Sequence, residues 1–244
     1  SNESNIIIGN IRLKKIEKET EIIIRNQRGS PYKFISAVSG GHYSLYLLLG
    51  ENGENNQLAY VYKKENKGVP LFLNLNNHNP KYLFGGCDVS VAVCSDGSMF
   101  VITKSVFKSP NDEMESFYLP NDEKPISIAV CIDCFVAVGS KGGVYESPLN
   151  RESICRLILL PIKELEGKSI INVSGYYKHV FAVSQDGKVF GRGNNSYNRL
   201  GFGKLYDNYD KFVIIPNLDK HKIISSYAGC GHSLFLTSKR KILA

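Results

Sequence analysis

One pattern constrains this chain more than its composition does: a short unit returns about every 45 residues. Aligned on His179 and His232, residues 172–190 and 227–242 run in parallel. Each has four mostly apolar residues, a polar turn that begins seven positions after the histidine, and then a new strand. The same frame recurs upstream with Tyr43, Val89 and Cys134 in the histidine position, so the spacings are 46, 45, 45 and 53 residues. In three copies the turn carries Asp96-Gly97, Gly142-Gly143 or Asp186-Gly187, the residue pairs that supply the positive φ angles of tight β-hairpins. The flanking runs of Val, Ile, Phe, Tyr and Leu are too short for ordinary helices. A unit of this length holds four short strands, and stacked four-stranded units are propeller blades. The reading is therefore all-β: a β-propeller of four-stranded antiparallel blades, about four to five of them present.

The repeats fall at approximately 34–78, 79–124, 125–168, 169–221 and a truncated 222–244, within a single domain covering 1–244. Residues 1–33, with Ile6, Ile7, Ile8, Ile22, Ile23 and Ile24, are expected to give strands of the first blade. The chain opens at Ser1 without a methionine and stops inside a strand-like stretch, 241–244; a piece of a longer protein is expected. Composition adds limits. Apolar residues at 43% and charged residues at 22% suit a folded core and argue against a wholly disordered chain. No apolar run approaches the ~18 residues of a membrane helix. The net charge of +7 raises nucleic acid as a partner. However, the clusters at Lys14, Lys15 and Lys18 and at Lys63, Lys64 and Lys67 are interrupted by Glu17 and Glu65, which suits a solvated basic surface better than a phosphate-tracking stripe.

The last two copies carry a more specific signal. Val173-Ser174-Gly175, His179, Asp186-Gly187-Lys188-Val189-Phe190, Gly193-Asn194-Asn195 and Leu200-Gly201-Phe202-Gly203 resemble the repeat of the RCC1-like β-propellers, the regulator of chromosome condensation family. Gly229, His232, Ser233, Leu234, Phe235 and Leu236 repeat its first part, and 195–201 its last part, with Asn198 and Arg199 in place of Gly and Gln. Copies one to three keep the hairpin and lose the Asn/Gly-rich segment. The resemblance implies a propeller of about seven blades, so either the remainder lies outside this chain or the propeller is incomplete and a partner covers its open edge.

No catalytic or cofactor motif survives inspection. Cys131-x-x-Cys134 has zinc-knuckle spacing but no second such pair follows, and the cysteines read as buried thiols acting as small hydrophobes in a reducing compartment. Gly167-Lys168-Ser169 lacks the upstream glycine of a phosphate loop and leads into a strand, where such a loop must open a helix. No Gly-x-Ser-x-Gly elbow occurs. His179 and His232 recur once per repeat, which points to a structural imidazole hydrogen-bonded to backbone. No metal or cofactor is expected.

Loop surface remains. Residues 104–122 and 192–210 are the richest loops, and the second holds aromatic and Arg side chains of the kind that anchor interfaces: Arg192, Tyr197, Arg199 and Phe202 are the candidate partner-binding residues. The function expected is a non-enzymatic protein–protein interaction scaffold, intracellular, cytoplasmic or nuclear. The resemblance implies one alternative, guanine-nucleotide exchange on a small Ras-like GTPase, and the net charge of +7 raises another, association with chromatin or nucleic acid.

Overall fold

The computed structural model describes residues 33–39, 43–50, 55–62, 71–86, 89–103, 114–149, 158–203 and 208–244. Among these, strands alone build the fold, in five antiparallel sheets taken in chain order. The first holds β1 (Phe34–Ser39), β2 (Tyr43–Leu48), β3 (Gln57–Tyr62) and β4 (Leu71–Leu73). The second holds β5 (Pro80–Gly85), β6 (Val89–Cys94), β7 (Met99–Thr103) and β8 (Ser116–Phe117). The third holds β9 (Pro125–Val130), β10 (Cys134–Gly139), β11 (Val144–Pro148) and β12 (Leu160–Pro161). The fourth holds β13 (Ile170–Tyr176), β14 (His179–Ser184), β15 (Val189–Asn194) and β16 (Asn208–Ile214). The fifth has three described strands, β17 (Ile223–Ala228), β18 (Ser233–Thr237) and β19 (Ile242–Leu243). Each sheet is an up-and-down meander whose first strand lies beside the first strand of the next. This is the bladed, all-β architecture that the repeat predicts, and the described sheets do not close a ring. The expected strands in residues 1–33 fall on positions that, Lys33 apart, lie outside the described residues.

The core sits between blades rather than within them. Alternate residues of a strand face opposite sides of its sheet, and both sides of a middle blade are covered. That is why β6 and β14 are buried along their whole length, the polar Ser90, His179 and Ser184 included. Tyr43, Leu45 and Leu47 pack on Ala92, Phe100 and Ile102 of the second blade. Val89, Val91 and Val93 pack on Ile128, Phe135 and Ala137 of the third. Val136 and Val138 meet Val180 and Ala182, and Phe181, Val183 and Val189 meet Ile223 and Phe235. Burying one such side chain stabilises by roughly 1.5–3 kcal/mol, so the seams between blades carry most of the apolar stabilisation.

The hairpin tips are built alike. The residue eight places after the repeat position takes positive φ in four blades: Gly97 at 95°, Gly142 at 95°, Gly187 at 92° and Arg240 at 59°. Its amide donates back across the turn, to the carbonyls of Cys94, Gly139, Ser184 and Thr237, at 2.9–3.0 Å. Each tip then docks on the residue before the inner strand of its own blade, as Ser95 N to Asn79 O and Gln185 N to Ser169 O, both 2.9 Å. A single left-handed residue after a tight turn is the three-residue hairpin with a bulge. Asp96, Lys141 and Asp186 therefore do not need positive φ, and only the glycine after each does.

Candidate interaction surface

The segment that leaves β15 is fixed by its asparagines. Asn195, buried, donates from Nδ2 to Gly203 O at 2.8 Å and accepts from Leu200 N at 3.1 Å. Asn198 accepts from Gly203 N at 2.7 Å, and Asn194 accepts from Ser196 N at 3.0 Å. Asx side chains compete for backbone donors in this way and tolerate left-handed backbone. Asn198 sits at φ 55°. Tyr197 sits at φ 62°, a conformation that costs a bulky residue of order 1–3 kcal/mol unless its surroundings impose it. The result is an aromatic ring 88% exposed on a tied-down loop.

The other candidates lie beside it in different roles. Arg199 is buried, donating from Nε to Ser196 O at 2.8 Å and from Nη1 to Cys230 O of the fifth blade at 2.9 Å. Its guanidinium lies 5.8 Å from the Tyr197 ring, within cation–π reach. Phe202 is buried and stacks on Tyr209 with ring centres 4.3 Å apart. Arg192, on β15, meets Glu146 of the third blade at 2.6 Å and lies 4.7 Å over the ring of Phe212 on β16 of its own blade. Burial works against its charge, and the bond to Glu146 more than restores it. Of the four residues, Arg192, Arg199 and Phe202 hold blades and loop together, and Tyr197 faces outward.

The histidines depart from expectation. His179 is fully buried, yet neither ring nitrogen has a hydrogen-bond partner among the described residues, and His232 is exposed. The physical reason lies one residue further on. At the first seam the repeat position is Tyr43, whose hydroxyl shares a hydrogen bond of 2.8 Å with Ser90 of the next blade. At the fourth seam the matching Ser233 donates instead to Arg199 O at 2.7 Å, which leaves the His179 ring against Phe181, edge to face at 5.5 Å. Desolvation, with help from Arg199 and His232, lowers the imidazole to about 4. The cysteines also divide: Cys94 and Cys131 are buried, Cys134 is half-buried and Cys230 is exposed, which corrects the uniform reading of buried thiols.

One cluster escaped the sequence reading because its members lie 18 and 20 residues apart. His78 Nδ1 lies 2.7 Å from Asp96 Oδ2 and 3.0 Å from Ser98 Oγ. A Ser-His-Asp relay needs the serine on Nε2 and the carboxylate on Nδ1. Here both crowd one nitrogen, and Ser98 also donates to Asp96 at 2.7 Å, so the cluster braces the β6–β7 hairpin. Burial raises the Asp96 carboxyl, but the bonds from Ser98 and His78 outweigh it and hold it at about 2. No group of three or more His, Cys, Asp or Glu side chains suited to a metal ion occurs among the described residues. Nor is any described helix long and apolar enough to cross a membrane.

Comparison with known proteins matches this geometry. Two family models, both described as the regulator of chromosome condensation (RCC1) repeat, match residues 186–236 and 170–199. The ultraviolet-B receptor UVR8 of Arabidopsis thaliana is 28% identical over 88 residues, 36% of this chain and 20% of the receptor. Human WBSCR16 superposes with a TM-score of 0.65 at 17% identity, over 86% of this chain and 61% of that one. Prp20p from Saccharomyces cerevisiae, described with its binding properties to Gsp1p and histones, gives 0.64 at 16% identity, over 85% of this chain and 56% of its own. The chain thus spans 20% of the receptor, 61% of human WBSCR16 and 56% of Prp20p, less than two thirds of each.

Proposed function

Residues 170–236 are RCC1 repeats set in a chain with the RCC1-like β-propeller fold, and from that premise we propose that it is a non-enzymatic scaffold for protein–protein interaction. The observation that carries this reading is Tyr197. Its ring is almost fully exposed, its backbone is held in a left-handed conformation by neighbouring hydrogen bonds, and a buried arginine stands behind it. A preordered aromatic loses little entropy on binding, and such residues anchor interfaces. Arg192, Arg199 and Phe202 then act as the support that presents it. In the fifth blade Tyr227 and Ile242 are exposed beside half-buried Leu234 and Leu236, and Leu234, Leu236 and Ile242 stand where Phe181, Val183 and Val189 meet the following blade, so this face suits a further blade or a partner equally. The proposed setting is intracellular. Affinity capture with the folded chain tests the proposal: a stoichiometric protein partner is expected, and its absence counts against a scaffold.

The likeness to Prp20p, described as binding Gsp1p, favours a second reading, guanine-nucleotide exchange on a small Ras-like GTPase. Release of labelled nucleotide from such a GTPase should then speed up on addition of this chain. An unchanged release rate removes that reading and leaves the scaffold standing. Association with chromatin or nucleic acid, the third reading, predicts binding that weakens steeply with salt.

A further inference from the structure

The Cys131-Ile132-Asp133-Cys134 stretch is not simply apolar filling. It is the turn between β9 and β10, and Cys131 N donates to Cys134 O at 2.8 Å, so the two cysteines stand directly opposite at the hairpin end. Directly opposed residues have Cβ atoms about 4.5–5.5 Å apart, close to the separation a disulfide requires. Both thiols are free and within hydrogen-bonding reach of each other. Cys131 is 1% exposed and its Sγ also donates to His179 O of the fourth blade at 3.7 Å. Cys134 is half-buried, packs partly on the core between the third and fourth blades and lies near Arg192, with Glu146 and Asp133 as the neighbouring acids. The pair therefore has a hidden resolving position and a more accessible attacking position near a fixed cation.

We propose that Cys131 and Cys134 form a redox-active dithiol that closes to a disulfide across the β9–β10 hairpin on reaction with a peroxide. The Cys134 thiolate attacks one oxygen of hydrogen peroxide, the O–O bond breaks, and Cys134 becomes a sulfenic acid as the other oxygen leaves as hydroxide, which takes a proton from solvent and becomes water. Cys131 sulfur then attacks Cys134 sulfur, expelling its hydroxyl as a second water. Overall the dithiol loses two protons and two electrons, and these reduce the hydrogen peroxide to two waters. The adjacent Cys131 thiol and the Arg192 charge favour the Cys134 thiolate over the opposing effect of burial and hold it below the ordinary thiol range, as attacking cysteines require. Transient, sensing disulfides are the kind found in reducing compartments. Closure removes the thiol proton that Cys131 gives to the His179 carbonyl, so the change is felt at the seam between the third and fourth blades. Ile132 N is also bonded there, to Tyr177 O at 2.7 Å.

Peptide mapping after brief treatment of the folded chain with hydrogen peroxide, then alkylation under denaturing conditions, tests the proposal. The peptide holding both cysteines should be lighter by two hydrogens and unalkylated, while the exposed Cys230 remains alkylated. Cys134→Ser should leave Cys131 fully alkylatable after the same treatment. In untreated protein the pH midpoint for alkylation of Cys134 should lie below the ordinary thiol value of about 8.5, and Arg192→Gln should raise it. The proposal is overturned if Cys230 oxidises before the pair, if Cys134 goes to higher oxides with Cys131 still free, or if the midpoint lies at or above the ordinary value.

Discussion

At the scale of single residues, polar atoms that look alike in the sequence end in unlike places. His179 is buried without a hydrogen bond, so the fold favours its neutral ring, lowered from 6.5 to about 4. Between those values the unfolded chain binds more protons. The stability this residue allows is present above pH 6.5 and is lost as the pH falls toward 4, by at most about 3 kcal/mol. Replacing it by leucine removes two unsatisfied polar atoms at similar volume. His179→Leu should unfold at higher urea concentration than the parent and lose most of the stability change across that pH window. Glu123 is the opposite case. It is buried, and its carboxylate accepts from Lys141 N at 2.8 Å, Gly143 N at 3.2 Å and the Tyr145 hydroxyl at 2.7 Å. Burial raises its carboxyl, but these three donors outweigh it and bring it below the usual range. Glu123→Gln sets an amide where only acceptors fit, and a loss of about 1–3 kcal/mol is expected in denaturant unfolding. In the parent this share of stability declines as the pH falls through the carboxylate range.

At the scale of elements, the hairpin tips give a graded test. Gly142 has open space where a Cβ would stand, whereas at Gly187 a Cβ would meet Lys222 Cα at 2.9 Å, and both residues have φ above 90°. Gly142→Ala should cost roughly 1 kcal/mol for backbone strain alone, and Gly187→Ala distinctly more. Arg240 holds the same turn position at φ 59°, so Arg240→Gly should stabilise the last hairpin by about 1 kcal/mol, read as a shift in the unfolding midpoint. This also shows what the sequence made legible. The blades announce themselves because a glycine with positive φ between apolar runs is a local signal, repeated at a steady interval. Arg240 carries no such signal, and its conformation is visible only with the hairpin around it. Arg199 looked like surface because arginine usually is. Its burial depends on a carbonyl 31 residues away, at Cys230. The His179 environment likewise depends on which carbonyl Ser233 chooses.

For the whole molecule, the seams decide both stability and presentation. Arg192 with Glu146, Cys131 with the His179 carbonyl, and Arg199 with the Cys230 carbonyl each tie one blade to the next. All three ties hold the fourth blade, two to the third and one to the fifth, and the Tyr197 loop projects from it, so the candidate surface rests on a well-braced part of the chain. Its four candidate residues were legible as a group, since aromatic and Arg side chains cluster at 192–202. Their division of labour was not, because three of them spend their contacts inside the propeller. The scaffold reading is tested most directly by measuring the affinity of the captured partner for the parent chain and for Tyr197→Ala, a substitution at an 88% exposed position that should leave thermal unfolding nearly unchanged. The predicted result is a loss of about tenfold or more. Equal affinity for the two chains would contradict it.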